Sequence, residues 1–386
     1  MARVIPAPPG DPRLPIIVWA RTCPEGALEQ LGRIADQPYV VGHVAAMPDL
    51  HVAHGVAVGT VFATDGVLVP SALGGDLGCG VTAVQLDLPA RALGRRELER
   101  ILDGWSRHIP IGDKVHRGRG PDLPESLLAA PLSTGSLEHQ RERLAGRHLG
   151  TLGEGNHFLE LDRDMEGTTW LLVHSGSRGL GSAIGAHHVS AAAAEGHGDL
   201  PGLSVDSDPG RAFLVDLAWA LAFAVANRAA LAEAALAVVA EVAGATPTVL
   251  TRIDVHHNYA SREEHFGRTV WVHRKGAVAA PEGAPVLIPG SMGTASYVAR
   301  GLGEATSFRS ASHGAGRTMT RREARERVPV DRLKHALRRV VHDGRRLASL
   351  VEEAPAAYRD IGEVLEDEAD LVTPLARLEP LAVLKG

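Results

Sequence analysis

Cysteine is nearly absent from this chain: Cys23 and Cys79 are the two in 386 residues. Two thiols build neither a disulfide framework nor a zinc ribbon, and their scarcity fits a reducing, cytoplasmic setting. Aromatic residues make up 4%, which excludes a single-strand binder built on rows of stacking rings. Positive charge is not in excess either, with Lys+Arg 40 against Asp+Glu 46 and a formal charge of -6. That argues against non-specific coating of nucleic acid and restricts such contact to a local basic groove. The amino terminus, Met1-Ala2-Arg3-Val4-Ile5-Pro6, has one charge followed by prolines and no apolar core of signal-peptide length, so export is not expected. One stretch, Ala212 to Val242, approaches the length of a membrane span, but Asp216, Asn227, Arg228, Glu233 and Glu241 interrupt it. A bilayer centre tolerates such residues poorly, so a buried helix and no membrane partner are expected.

What is present is ordinary for a globular protein, with hydrophobic residues at 45% and charged residues at 22%. Helical spacing runs over Pro24–Gln37, Arg95–Trp105 and Leu137–His148, and the Ala-rich stretches Ser182–Glu195 and Pro209–Ala243 read as long covering helices. Short apolar runs at Val40–Val44, His51–Phe62, Phe158–Leu161, Thr169–Val173, Val249–Val255, Thr269–His273 and Pro285–Ile288 read as strands. Gly112–Gly135 lacks periodicity and reads as a long surface loop, and Val351–Gly386 as a closing tail containing Pro and Glu. No solenoid-period repeat or low-complexity linker divides the chain. The pattern is that of an α+β protein, read most simply as one domain over residues 1–386.

Polar motifs sit at the ends of the predicted strands, where a rigid frame can present them. Gly74-Gly75-Asp76-Leu77-Gly78-Cys79-Gly80 brings a carboxylate and a thiol together on a tight backbone, a pair able to bridge divalent ions; alone it could equally be a glycine turn with a buried cysteine. Gly153-Glu154-Gly155-Asn156-His157-Phe158-Leu159-Glu160 presents an imidazole from a glycine corner, with Glu160 placed to accept hydrogen bonds from a base or ribose. His174-Ser175-Gly176-Ser177-Arg178-Gly179-Leu180-Gly181 ends a strand before a helix, a possible anion cradle or a common glycine turn. In Asp254-Val255-His256-His257-Asn258 the adjacent histidines point to opposite faces, so at most one meets the other donors. Val272-His273-Arg274-Lys275-Gly276 and Pro289-Gly290-Ser291-Met292-Gly293-Thr294-Ala295-Ser296-Tyr297 supply cations and small hydroxyls suited to phosphate, or else a basic turn and a packing loop. Ser310-Ala311-Ser312-His313-Gly314-Ala315-Gly316-Arg317 offers a histidine nucleophile with an arginine to hold the attacked phosphate, although a lone histidine usually has no such role. Their co-occurrence favours chemistry over coincidence.

Taken together and in this order, from Met47-Pro48-Asp49-Leu50-His51 to Lys385-Gly386, these motifs resemble the RtcB family of tRNA-splicing and RNA-repair ligases. The resemblance implies one large domain with mixed sheets around a central metal cleft. It implies two manganese ions bridged by Cys79, one also held by Asp76 and His157, the other by His174 and His257. It makes His313 the residue that attacks GTP and carries a guanylate. Asn156, Glu160, Tyr358 and Lys385 become GTP or guanylate contacts, and Arg178, Lys275 and Arg317 phosphate or RNA contacts. The implied substrates are RNA ends bearing a 3′-phosphate or 2′,3′-cyclic phosphate and a 5′-hydroxyl, joined by a monomeric enzyme that an archease-type partner could activate. His54-Gly55 after His51, Gly75 before Asp76 and Ala311 depart from the family pattern and mark a divergent branch. The same chemistry halted after guanylate transfer would cap 3′ ends of RNA or DNA. A silent RNA-binding paralogue would need neither His313 nor the full ligand set, and a metallophosphoesterase would need neither His313 nor the guanosine-binding terminus.

Overall fold

The computed structural model describes residues 2–6, 13–118, 120–195 and 198–386. Its helices and two principal sheets make an α+β fold. A six-stranded sheet runs Arg3–Ile5, Ile16–Val18, Val40–His51, Val58–Thr64, Arg268–Lys275, Asn258–His265 in spatial order, with one parallel pair between its second and third strands. A seven-stranded sheet runs Val249–His256, Gly80–Pro89, Thr168–Ser175, Phe158–Arg163, Val372–Lys385, Ser296–Gly301, Pro285–Ile288, and every neighbouring pair in it is antiparallel.

The seven-stranded sheet is covered on both faces, which explains why its inner strands read as continuous apolar runs rather than alternating ones. Leu171 and Val173 face a core built with Ile101 and Trp105 of helix Arg95–His108 and with Leu231 and Val239 of helix Asp208–Ala243. Their neighbours Trp170 and Leu172 face a second core with Leu333, Leu350 and Leu378. Helix Asp208–Ala243 is 36 residues long and apolar enough by length to span a bilayer, but it is built as a core helix. Phe213, Phe223, Asn227 and Arg228 are all fully buried in it, and a Ser207 side-chain cap and a left-handed Gly244 end it.

Two readings of the chain shift. The first strand of the Val40 region continues to His51, so the second begins at Val58, after a turn. The expected closing tail contains a 14-residue strand, Val372–Lys385, lodged between two others. Pro374 and Pro380 disguise it, since proline removes a ladder donor. Both sit at register shifts, where a strand tolerates proline. The described residues of the Gly112–Gly135 stretch are irregular apart from a short helix at Glu125–Ala129 and Gly135 itself, which opens helix Gly135–His148.

Gly80 opens its strand so close to the neighbouring one that a Cβ there would lie 2.1 Å from the Val255 carbonyl oxygen. Gly80→Ala should therefore cost about 2–3 kcal/mol in chemical denaturation. Gly75→Ala, where a Cβ meets nothing within 4 Å, should stay within about 0.5 kcal/mol of the parent.

Candidate active site

In an antiparallel ladder the start of one strand lies beside the end of the next. Gly80 pairs with Ser175 and with His256, and Phe158 pairs with His174 and with Lys385. One end of the seven-stranded sheet therefore receives Cys79, His157, His174, His257 and Lys385 together. Arg228, reaching from the core helix, fixes these ends. Its Nη1 donates to the carbonyls of Gly78 at 2.9 Å and Ser175 at 3.0 Å, while Nε and Nη2 donate to Asp254 at 2.8 and 2.6 Å. Of the adjacent histidines, His256 is taken up by the Gly78 carbonyl through Nδ1 at 2.9 Å. His257 donates its backbone N–H to Cys79 and turns its ring to within 5.1 Å of the His174 ring centroid.

Cys79, His157 and His174 are all buried, with Sγ 3.4 Å from His157 Nε2 and 3.3 Å from His174 Nε2. Asp76 Oδ2 lies 3.1 Å from the same His157 nitrogen. Its other oxygen accepts the Ser177 N–H at 3.0 Å, an approach that requires glycine at 176, where a Cβ would fall 2.3 Å from both carboxylate oxygens. His157 Nδ1 lies 2.9 Å from the Leu152 carbonyl. A carbonyl can only accept, so Nδ1 carries a proton, and Nε2 faces sulfur and carboxylate either through a second proton or through its lone pair. Lone pairs facing one another at such distances repel unless a proton or cation lies between them, and this donor set suits a divalent transition ion.

Burial, reinforced by neighbouring positive groups, holds His174 and His257 well below the usual imidazole range, leaving neutral rings with free lone pairs; His257 Nδ1 is buried with no partner. Burial would raise Asp76, but His157 and Arg178 outweigh it and keep the carboxylate low. Burial and the Asp76 charge push the Cys79 thiol well up, so a thiolate at this position calls for a cation beside it.

His313 follows the short strand Ser310–Ser312, and its ring centroid is 4.8 Å from that of His257. Asp49, fully buried, accepts the His313 backbone N–H at 3.1 Å and its Nδ1–H at 2.5 Å on one oxygen. This fixes the tautomer and leaves Nε2 as a free nucleophilic nitrogen. A cavity of about 370 Å³ joins the cluster, His313, Asn156, Glu160, Arg317, Tyr358 and Lys385.

At its far wall buried Glu353 accepts from Arg317 at 3.1 Å and from Tyr358 at 2.5 Å, and lies 3.2 Å from Lys385 Nζ. Burial would raise this acid, yet Lys385, Tyr358 and Arg317 bring it down to about 2. Glu160 on the floor has the opposite setting. Burial and its buried neighbour Asp162 push it well above the usual carboxyl range.

Two expected phosphate contacts lie outside this cavity. Arg178 lines the adjoining groove with Asp76 and Asn156 and donates to Thr151 Oγ1 at 3.2 Å. Lys275 donates to the carbonyls of His54 at 2.8 Å and Val56 at 2.6 Å and borders a separate cavity behind Gly74. Sequence reasoning assigned no role to Asp49, Arg228 or Glu353. A cation inside an otherwise apolar Ala-rich helix was the available signal for Arg228.

Arg228→Met should leave Asp254 without its cation and free both ligand-bearing loops. We expect a loss of about 3 kcal/mol by urea denaturation, with Asp254 a quarter exposed and the cost reduced accordingly. Adding Asp254→Asn should restore part of it; a double variant no more stable than the single one would remove the pair from the explanation.

Comparison with known proteins agrees with this geometry. The family described as tRNA-splicing ligase RtcB matches residues 30–125 and 128–386. The RNA-splicing ligase RtcB of Escherichia coli K12 is 35% identical over 400 residues, spanning 96% of this chain and 97% of that protein. The RNA-splicing ligase RtcB of Mycobacterium tuberculosis is 34% identical, with 92% and 100% covered, and the tRNA-splicing ligase RtcB of Thermococcus kodakarensis 30% identical, with 93% and 91% covered. With nearly its whole length matched, and with the strand ends of its larger sheet gathered around a Cys/His cluster, the chain belongs to the RtcB family of RNA ligases.

Proposed function

We propose that this protein is a GTP- and manganese-dependent ligase that joins RNA 3′-phosphate or 2′,3′-cyclic phosphate ends to 5′-hydroxyl ends through a histidine-guanylate. The observation that carries the reading is the placement of His313, an imidazole outside the Cys/His cluster but in ring contact with His257, its Nδ1 fixed by Asp49. The His313 Nε2 lone pair attacks the α-phosphorus of GTP, the bond to the β-phosphate oxygen breaks, and pyrophosphate leaves. The Asp49 carboxylate balances the positive charge that the ring acquires. A 2′,3′-cyclic phosphate first adds water and breaks its bond to O2′, giving the 3′-phosphate; an oxygen of that phosphate then takes the guanylate from His313, and the 5′-hydroxyl attacks the activated 3′-phosphorus, losing its proton and releasing GMP.

Asp76, Cys79, His157, His174 and His257 would hold two manganese ions, whose contribution is to neutralise phosphate charge as it develops. Glu160, Asn156, Tyr358 and Lys385 would meet the guanosine, and Arg317 the phosphate, since all of them share the cavity with His313. Arg178 in the next groove and Lys275 behind Gly74 would act on RNA that extends past the cavity. The reading carries with it one domain over residues 1–386, a cytoplasmic monomer and an archease-type activator.

Incubation with GTP labelled at the α-phosphate, together with manganese, should leave label covalently on the protein; its absence from the wild type would remove the nucleotidyl-transfer reading. His313→Ala should lower adduct formation at least about 1000-fold and keep its metal. Cys79→Ala should lose metal and adduct together, measured by elemental analysis after desalting.

A further inference from the structure

Behind His313 lies a group of buried polar atoms that neither the nucleophile nor the Cys/His cluster uses. Consecutive backbone N–H groups are held by two different acids: Ser312 donates to Glu368 Oε2 at 2.9 Å, and His313 donates to Asp49 Oδ2 at 3.1 Å. Glu368 caps the end of helix Ile361–Asp367, and both acids are fully buried. Glu368 Oε1, Asp49 Oδ1 and Ser312 Oγ are buried without a partner. A buried carboxylate needs several donors, and two neighbouring ones cannot both keep a charge in such surroundings. Asp49 has both donors of His313, whereas Glu368 has the Ser312 N–H.

We propose that Glu368 is a positioning residue for the nucleophilic histidine: a proton-carrying carboxyl that anchors the Ser312–His313 backbone and, by staying neutral, leaves Asp49 to orient the ring. This rests on the reading of His313 as nucleophile. The neutral acid has one O–H donor and a remaining acceptor oxygen, which matches the orphaned oxygens on Asp49 and Ser312. An ionised Glu368 would instead set a second negative charge against Asp49 and push the His313 loop off its seat.

The surroundings support the proton. Burial, helped by Asp49 and by Asp367, pushes Glu368 up to about 8, against a smaller opposing effect of the Ser312 N–H. Asp367 is itself paired with Arg21 at 2.6 Å, His313 stands on the far side of Asp49, and Arg359 is turned to the Leu50 carbonyl at 2.6 Å. Because the folded value lies above the ordinary 4.5, the folded protein holds a proton that the unfolded chain has already released. Stability is therefore lost as pH rises from about 4.5 to 8, and Gln at this position removes that dependence.

Wild type, Glu368→Gln and Glu368→Ala, as full chains, decide the matter. The thermal midpoint of Glu368→Gln should exceed that of the wild type by a margin that grows between pH 5 and about 8 and levels off above it. Adduct formation with GTP and manganese should fall in the wild type above about pH 8, approaching tenfold per pH unit. Glu368→Gln should carry its plateau past pH 9 and restore what Glu368→Ala loses, at least about tenfold at every pH. Wild-type and Gln profiles that superimpose in both measurements overturn the proposal. If the wild type forms no adduct at all, the ligase reading fails by itself. Glu368 is then judged by the thermal margin and by the imidazole Nδ1–H proton resonance of His313, which should persist in the Gln variant and vanish in the Ala variant. Persistence in both overturns it.

Discussion

Arg228 has no solvent exposure, yet it sits in a helix whose other buried residues are mostly apolar. A cation survives there because its donors are used, two on Asp254 and two on the backbone carbonyls of Gly78 and Ser175. Those carbonyls belong to the loops that carry Cys79 and follow His174, so one side chain sets the spacing between sulfur and imidazole. The antiparallel register brings the strand ends near each other, but only to the tolerance of a loop. A site of facing lone pairs needs tighter positioning than that, because a displaced donor turns a coordination shell into plain repulsion.

The buried acids divide according to how many donors reach them. Glu353, with Arg317, Tyr358 and Lys385 around it, falls to about 2 and binds three elements into one wall. Asp162 has neither oxygen satisfied and rises to about 8, and its neighbour Glu160 rises with it. The cavity therefore has a fixed negative charge on one wall and the raised carboxyl of Glu160 on another, so its two sides differ in electrostatic character.

Much of this was legible in the sequence, and the parts that were not share a cause. Short polar motifs between glycines marked the ends of strands, and their order carried the family. Helix Asp208–Ala243 was readable as a core helix because Asp216, Asn227 and Arg228 fall within its apolar run. Strand Val372–Lys385 was hidden because Pro374 and Pro380 signal a break locally, and only pairing on both sides reveals them as bulge residues. Asp49, Glu353 and Glu368 escaped notice for a related reason. A carboxylate becomes a positioning group through what is brought to it across 264, 36 and 56 residues of chain respectively, and no local spacing records that. Lys275 was legible as a cation beside a glycine, but its commitment to the His54 and Val56 carbonyls depends on a loop 219 residues away.

A chain of net charge -6 in a family of RNA ligases must still admit a polyanion, and the groove beside the cluster shows how the charges are arranged for it. Arg178, Arg321, Arg325 and Arg346 line it together with Asp76, Asp113, Glu154, Glu352 and Glu353. Arg321 and Arg325, about half exposed, are paired to Glu352, and pairs in water are worth little, so their guanidinium groups can change partner at small cost. Arg178 donates to the Gly112 carbonyl and stands beside the Asp76 and Glu154 charges, and Arg346 donates to the Lys385 carbonyl and to an oxygen of Gly386. The groove therefore sets arginines among acids instead of carrying a net positive field, and a polyanion is admitted there by guanidinium groups that change partner.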